Sequence, residues 1–283
     1  MPSAPLDLDT ASDADLLAAA RDGDRAALEK LLERHQAQVY RFSMKMCREP
    51  EDAQDVLQET LLAMARGVRE FRGASSISTW LYTVARSFCI KKRRRSKFAP
   101  EGPSLDAAGS SEAAALADPA RSPDEALASK QIEQALERAI RALDPKYREA
   151  LLLRDVEGLT APEVAEVLGI TVQAVKSRLH RARIAVRDNL APVLGVPSSA
   201  QAAPGACPDV LTMFSQHLED EISAEVCSAM ERHLEGCPRC RDACDSLKRT
   251  LALCRTSGPA TEVPPSVQTA VRRAIRDFLR DGP

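Results

Sequence analysis

The sequence predicts an all-α protein: a helical bundle, a flexible linker, a helix-turn-helix domain and a small helical cysteine-rich tail. Three observations predict it. Apolar residues recur at helical spacing over 12–95, as in Leu16, Leu17, Ala20, Leu28, Leu31 and Leu32, then Val56, Leu57, Leu61 and Met64. The period returns with Ile132, Leu136, Ile140 and Leu143 and continues to about residue 190. Strand-like alternation is absent over the first stretch.

In chain order, residues 12–98 form the first domain. Residues 99–128 are Ala-, Ser- and Pro-rich without an apolar period and read as a flexible acidic linker. Residues 129–190 make the second helical domain, 191–206 a second linker, and 207–283 the cysteine-rich tail. The tail closes with an amphipathic helix that sets Val267, Val271, Ala274, Ile275 and Phe278 against Arg272, Arg273, Arg276 and Arg280. A chain of 283 residues suffices for two or three small cores. No apolar run approaches the roughly 18 residues of a membrane span. The N-terminus lacks a basic start followed by an apolar stretch, so a cytosolic location and no membrane partner are expected.

A net charge of −2 hides strong segregation. Residues 91–98 (KKRRRSKF) hold six Lys or Arg, and Lys176, Arg178, Arg181, Arg183 and Arg187 form a second stripe. Two separated basic patches suggest a polyanion met at two places; solvated surface charge is the plainer alternative for each patch alone.

The segment 159–186 (LTAPEVAEVLGITVQAVKSRLHRARIAV) has helix-turn-helix grammar. Thr160 and Glu163 match a capping box, and Pro162 is tolerated in a first turn. Gly169 stands where the first helix must stop, and Thr171 is placed to cap the second. Val175, Leu179, Ala182 and Val186 make its buried stripe, leaving Gln173, Lys176, Ser177, His180 and Arg181 outward. Gln suits adenine, and Lys or Arg suits guanine or phosphate in a major groove. A helical hairpin with a charged solvent face is the competing reading.

In the first domain, Asp52, Asp55 and Glu59 fall at i, i+3 and i+7 with Gln58 beside them, a docking surface or simply a solvated acidic face. A small-residue polar loop, Arg72 to Thr79, leads into a helix with Trp80, Tyr82 and Phe88 that runs into the basic patch. Aromatic faces beside cations suit single-stranded DNA, and a polar loop can hold a base taken out of the duplex. Trp80 fits either that role or a core position.

DAQDVLQET followed by TWLYTVARSFCIKKRRR resembles region 2 of extracytoplasmic-function sigma factors, and residues 143–190 resemble their region 4. The resemblance spans roughly residues 12–190. It implies that Asp52, Asp55, Gln58 and Glu59 dock on the clamp helices of the polymerase's largest subunit. It further implies that loop 72–79 and the following helix open and read the −10 element, with Arg72, Thr79, Trp80, Arg86, Ser87, Lys91, Lys92, Arg93 and Arg94 as the DNA-facing set. Thr171, Gln173, Lys176, Ser177, Arg178, His180 and Arg181 would read the −35 element. The family usually has Asn where Ser87 stands and often Asp where Lys91 stands, so its −10 base preference does not carry over.

Six of the eight cysteines fall within 207–254. In a reducing compartment such a cluster points to metal binding or redox chemistry rather than a disulfide framework. His233-x3-Cys237-x2-Cys240 has knuckle spacing. Cys244 is one turn from Cys240 and within reach of the same ion, whereas Cys254 is about 21 Å along a straight helix and is not. Cys207, Cys227 and His217 must arrive through folding. The pattern resembles the zinc-binding domain of anti-sigma factors and, more fully, the cysteine-rich domain of CorE-like sigma factors, which respond to heavy metals. That implies Cys207, Cys227, His233, Cys237, Cys240, Cys244 and Cys254 as ligands for zinc, copper or cadmium. A structural zinc or redox-switched module, or a docking module for a separate protein, are the alternatives. Cys47 and Cys89 read as inert core.

No Ser-His-Asp pattern, phosphate loop or paired-carboxylate signature stands out, so a non-enzyme is expected. The expected partners are core RNA polymerase and promoter DNA, with regulation in cis and no separate anti-sigma factor. A plain helix-turn-helix regulator is the rival.

Overall fold

The computed structural model describes residues 7–47, 49–71, 73, 75–98, 123–196, 207–256 and 263–281. Arg72, most of the first expected linker and residues 197–206 lie outside them. All regular elements among the described residues are helical, as the apolar spacing predicts. The chain divides into two compact units.

The first unit takes in Met1–Arg93, Glu149–Val175 and Gly258–Pro283. It opens with α1 (Asp13–Arg21), α2 (Arg25–Met46), α3 (Pro50–Gly67) and α4 (Ile77–Phe98). Ser12 starts α1 through a reciprocal box with Asp15, and the Asp24 carboxylate accepts from the N–H groups of Ala26 and Ala27 to start α2. Leu31, Phe42, Val56, Leu57, Leu61 and Leu81 are buried among these helices. Phe42 and Tyr82 meet edge to face at 5.3 Å between ring centres.

The chain next forms α5 (Pro123–Ala142) and α6 (Pro145–Leu151). The expected linker overruns α5 by several residues: a helix beginning at Pro123 tolerates proline because first-turn N–H groups have no internal acceptor. After α6 comes one π-helical stretch, Leu152–Val156, closed by a 2.8 Å bond from the Glu157 N–H to the Leu152 carbonyl. Two further helices follow, α7 (Ala161–Leu168) and α8 (Val172–Leu194). Their local signals act as the sequence predicts. Thr160 and Glu163 form the capping box, Gly169 takes a left-handed φ of 64°, and the Thr171 hydroxyl accepts from the Ala174 N–H at 3.2 Å. Helix α8 runs past the expected boundary at 190 and contains Pro192, because Leu190 and Ala191 are still anchored in apolar surroundings. Gly195, at a φ of 65°, lets the chain turn away.

The second unit comprises Arg94–Arg148 and Lys176–Ser257. Its tail holds α9 (Val210–His217), α10 (Ala224–Gly236) and α11 (Pro238–Thr256). Cys240, Cys244, Leu247, Leu251 and Cys254 are all buried along one face of α11, as their spacing requires. Leu211, Leu247 and Leu251 form one apolar cluster against which Ile184 of α8 and Leu218 pack.

The last helix, α12 (Pro265–Asp281), belongs to the first unit. It packs on α3, burying Val267, Val271 and Ile275 and ion-pairing Arg272 with Glu33 at 2.6 Å.

Candidate nucleic-acid interface and metal centre

Lys176, His180, Arg183 and Arg187 lie at i, i+4, i+7 and i+11 of α8, one stripe beside its apolar face. The tail covers that stripe. The Lys176 ammonium donates to the Glu219 carbonyl at 2.6 Å and stands 3.9 Å from the Glu221 carboxylate. Arg183, 1% exposed, pairs with Glu219 at 2.6 Å. The Arg187 Nε donates to the Ser246 hydroxyl at 2.7 Å. His180 Nε2 lies 3.3 Å from the Thr212 hydroxyl, and burial lowers its pKa against the opposing pull of Asp209.

This corrects the outward placement of Lys176 and His180. Lys176 turns to the tail because the turn after α9 carries Glu219 and Glu221 to it, His180 meets Thr212 of α9, and Arg183 and Arg187 are enclosed rather than offered to a polyanion. Gln173, Ser177 and Arg181 are exposed, with Arg181 donating to the Tyr147 hydroxyl at 3.0 Å; Arg178 is half-buried. Thr171 serves as the helix cap.

On α4 the expected DNA-facing set divides. Thr79 is 1% exposed, its hydroxyl 2.8 Å from that of Ser76, so it belongs to the start of the helix rather than to a groove. Tyr82 is also buried and donates to Glu157 at 2.7 Å. Trp80 is half-buried, edge-on to Phe71 at 5.9 Å and packed over Gly67. Arg86 pairs with Glu149 at 2.9 Å. Lys92 pairs with Asp55 and lies 3.5 Å from Asp52, which ties it to the acidic face of α3. Ser87, Lys91, Arg93 and Arg94 remain exposed, with Lys91 5.0 Å from the Phe88 ring centre. On α3, Asp55 and Glu59 are exposed while Asp52 and Gln58 are half-buried.

The tail gathers four of the seven expected ligands. One donor atom from each of Cys207, His233, Cys237 and Cys240 lies within 4.8 Å of all the others. The sulfurs of Cys207 and Cys237 are 3.9 Å apart, close to the roughly 3.8 Å edge of a tetrahedron with zinc–sulfur bonds of about 2.3 Å. His233 Nε2 is buried with no hydrogen-bond partner among the described residues, as an imidazole reserved for a metal would be. Three thiols and this imidazole fit a tetrahedral soft-metal site. The thiols differ: the Cys240 N–H holds the Cys237 thiol below its ordinary range, and burial pushes Cys240 up to about 12.

The other three expected ligands are placed elsewhere. Cys244 turns its sulfur to the Val210 carbonyl at 3.8 Å and joins an apolar cluster with Val210 and Cys240, so one helical turn from Cys240 does not bring it into the group of four. Cys227 meets His217 Nδ1 at 3.2 Å. Cys254 is buried further along α11.

Sequence reasoning missed Glu219 and Glu157. Glu157 accepts from Arg41 Nε at 2.8 Å and from Tyr82. The acidic run Glu219, Asp220, Glu221 beside a basic stripe of matching helical period was the available signal for the first. Nothing in the local pattern marks the second.

Residues 31–98 match the family model for sigma-70 region 2, residues 133–186 that for sigma-70 region 4, and residues 207–241 a zinc-finger family model. The ECF RNA polymerase sigma factor SigM of Mycobacterium tuberculosis is 34% identical over 174 residues, covering 61% of this chain and 81% of that protein. The RNA polymerase sigma-H factor of Pseudomonas aeruginosa is 31% identical over 186 residues, covering 64% and 95%. The solved structure of CnrH in complex with the cytosolic domain of CnrY covers 67% of this chain and 99% of that chain, at 22% identity and a TM-score of 0.46.

Proposed function

Since the chain belongs to the extracytoplasmic-function sigma factors, which direct RNA polymerase to promoters, we propose that its tail restrains promoter recognition in cis. The observation that carries this reading is the enclosure of the Lys176–His180–Arg183–Arg187 stripe by the turn after α9 and by α11. A helix that reads a major groove needs its cations free for phosphates and base edges. Here the Glu219 carboxylate pairs with Arg183 and the Glu221 carboxylate stands beside Lys176.

In this reading, the exposed Asp55 and Glu59, with Asp52 and Gln58, supply the polymerase-docking face of α3. Ser87, Lys91, Arg93 and Arg94 meet the −10 region along α4. Gln173, Ser177 and Arg181 begin −35 recognition, and Lys176 and His180 complete it after the tail withdraws. Cys207, His233, Cys237 and Cys240 hold the metal, which when bound joins the segment before α9 to the α10–α11 turn. The docked conformation of Glu219 and Glu221 therefore depends on those four ligands. The restraint lies within the chain, so this reading requires no separate anti-sigma factor. No described helix is long and apolar enough to cross a membrane, and the proposed place of action is the cytosol.

Runoff transcription with core polymerase tests the restraint. The double variant Glu219→Gln with Glu221→Gln should initiate several-fold better than the unaltered chain from a −35/−10 promoter. Equal initiation would sink the cis restraint. Duplex binding without initiation by either protein would instead favour a plain DNA-binding regulator.

A second reading makes the metal purely structural, favoured by the count of four close ligands, which is what a closed zinc site requires. Elemental analysis after titration with zinc, copper and cadmium, followed by transcription with each, separates the two. A sensor changes output with metal identity or occupancy within the working range; a structural site does not.

A further inference from the structure

Two thiols of the first unit lie outside everything assigned above. Cys47 follows the last turn of α2 and Cys89 sits on α4, 42 positions later, with their sulfurs 3.3 Å apart. A disulfide bond measures about 2.05 Å, so little more than 1 Å of closure separates these thiols from a covalent link. Their exposure is unequal. Cys89 is 4% exposed, whereas Cys47 is half-buried and open to a small solute. Cys47 also occupies the C-cap of its helix in extended backbone, its N–H closing the last turn onto the Ser43 carbonyl at 2.8 Å. Contact with Cys47 and burial both raise the Cys89 thiol pKa, and Cys47 is the more exposed of the two, so Cys47 is the sulfur that meets an oxidant first.

We propose that Cys47 and Cys89 form a peroxide-oxidisable dithiol that closes to a disulfide joining α2 to α4. The Cys47 thiolate attacks one oxygen of a hydroperoxide, taking it up as sulfenic acid and releasing water or the alcohol. The Cys89 sulfur then attacks the sulfenic sulfur, loses its proton and expels water. Two thiols have lost two electrons and two protons, and one peroxide has been reduced. A low-molecular-weight thiol reverses the step by exchange. The linked helix is the one carrying Arg86, Ser87 and Lys91, so the oxidation state of this pair sets how firmly that surface is held to its bundle.

The test is hydrogen peroxide titration of the full chain, then alkylation of remaining thiols and peptide mass spectrometry, which reads this pair separately from the tail cysteines. The expected product is a Cys47–Cys89 linked peptide about 2 Da lighter than its two reduced halves, restored to free thiols by a dithiol reductant. Cys47→Ser should leave Cys89 reduced at peroxide levels that fully oxidise the pair. Cys89→Ser should leave Cys47 as a sulfenic acid that dimedone traps. The proposal fails if no linked peptide forms while tail cysteines oxidise. It fails equally if Cys89 oxidises as readily in the Cys47→Ser protein, or if Cys47 links only to another molecule on a non-reducing gel.

Discussion

On α4, Lys92 pairs at the surface with Asp52 and Asp55 of its own bundle, the Asp55 side chain being 59% exposed. On α8, Arg183 is buried with Glu219 of the tail, and Arg187 is enclosed between Ser246 of the tail and Asp188 of its own helix. The energetic difference is large. Exposed ion pairs contribute roughly 0–1 kcal/mol, and polymerase or DNA can replace one partner at little cost. Removing one partner of a buried pair costs about 3–5 kcal/mol, because the remaining charge is stranded. Helix α4 is thus loosely self-paired at its surface, while the stripe on α8 is held by the segment that covers it. On the proposed reading, restraint at α8 should therefore be broken by single changes to a buried partner, whereas changes at the α4 surface should have small effects.

Breaking the metal-ligand set tests the α8 side most severely. Apparent metal-binding energies in small zinc modules reach about 10 kcal/mol or more, and that energy is folding energy. Cys240→Ser, or a strong chelator, should strip hydrogen-exchange protection from 207–256 and leave the 13–67 helices protected. If α9 and α11 stay protected without metal, the covering segment folds on its apolar clusters alone, and its release must be triggered otherwise.

Glu219→Gln is next in size. It keeps the shape but removes the Glu219 charge from beside buried Arg183, and tail docking should weaken by up to about 3–5 kcal/mol. Denaturation followed by a probe in the tail measures this. A loss below about 1 kcal/mol would put Arg183 in the same class as Lys92 and remove the contrast between the two helices.

Lowering the pH should loosen the same contact by a smaller amount. Burial holds the docked His180 imidazole below its ordinary value of 6.5. Undocking therefore takes up a proton in acid, and docking is at full strength above 6.5 and weakens as pH falls through it. Arg181 and Arg183 on α8 and Asp209 and Glu221 from the tail face this ring. Exchange protection in the tail at pH 7.5 and 5.5 should show the loss, and His180→Gln should flatten it. An unchanged slope in that variant assigns the pH dependence to other groups.

The contrast also explains what the sequence disclosed. Thr160, Glu163, Gly169 and Thr171 act on neighbours within a turn, so their roles were legible from spacing alone. His233, Cys237 and Cys240 were legible for the same reason, since knuckle spacing is local. Cys244 misled because position on a helix face fixes direction but not which neighbour the face meets, here Val210 rather than the ion. The outward reading of Lys176 and His180 failed at the same step: helical period identified the stripe, while the covering Glu219 comes from 36 positions beyond Arg183. The closeness of Cys47 to Cys89 was not legible because it spans 42 positions.

The smallest effect is expected at Lys92. Lys92→Ala should change stability by less than about 1 kcal/mol, since its nearer partner Asp55 is solvated and Asp52 is only half-buried. On the reading that α3 docks on core polymerase, it should nevertheless raise the affinity for that partner, because Asp52 and Asp55 lose the Lys92 ammonium that competes for them. That gain should shrink as ionic strength rises, since the Debye length falls to about 8 Å at physiological salt. Equilibrium binding to core polymerase across a salt series decides it. A salt-independent loss of affinity would mean that Lys92 itself belongs to the docking surface, and the self-paired side of the molecule would then be bound to its partners as firmly as α8 is to the tail.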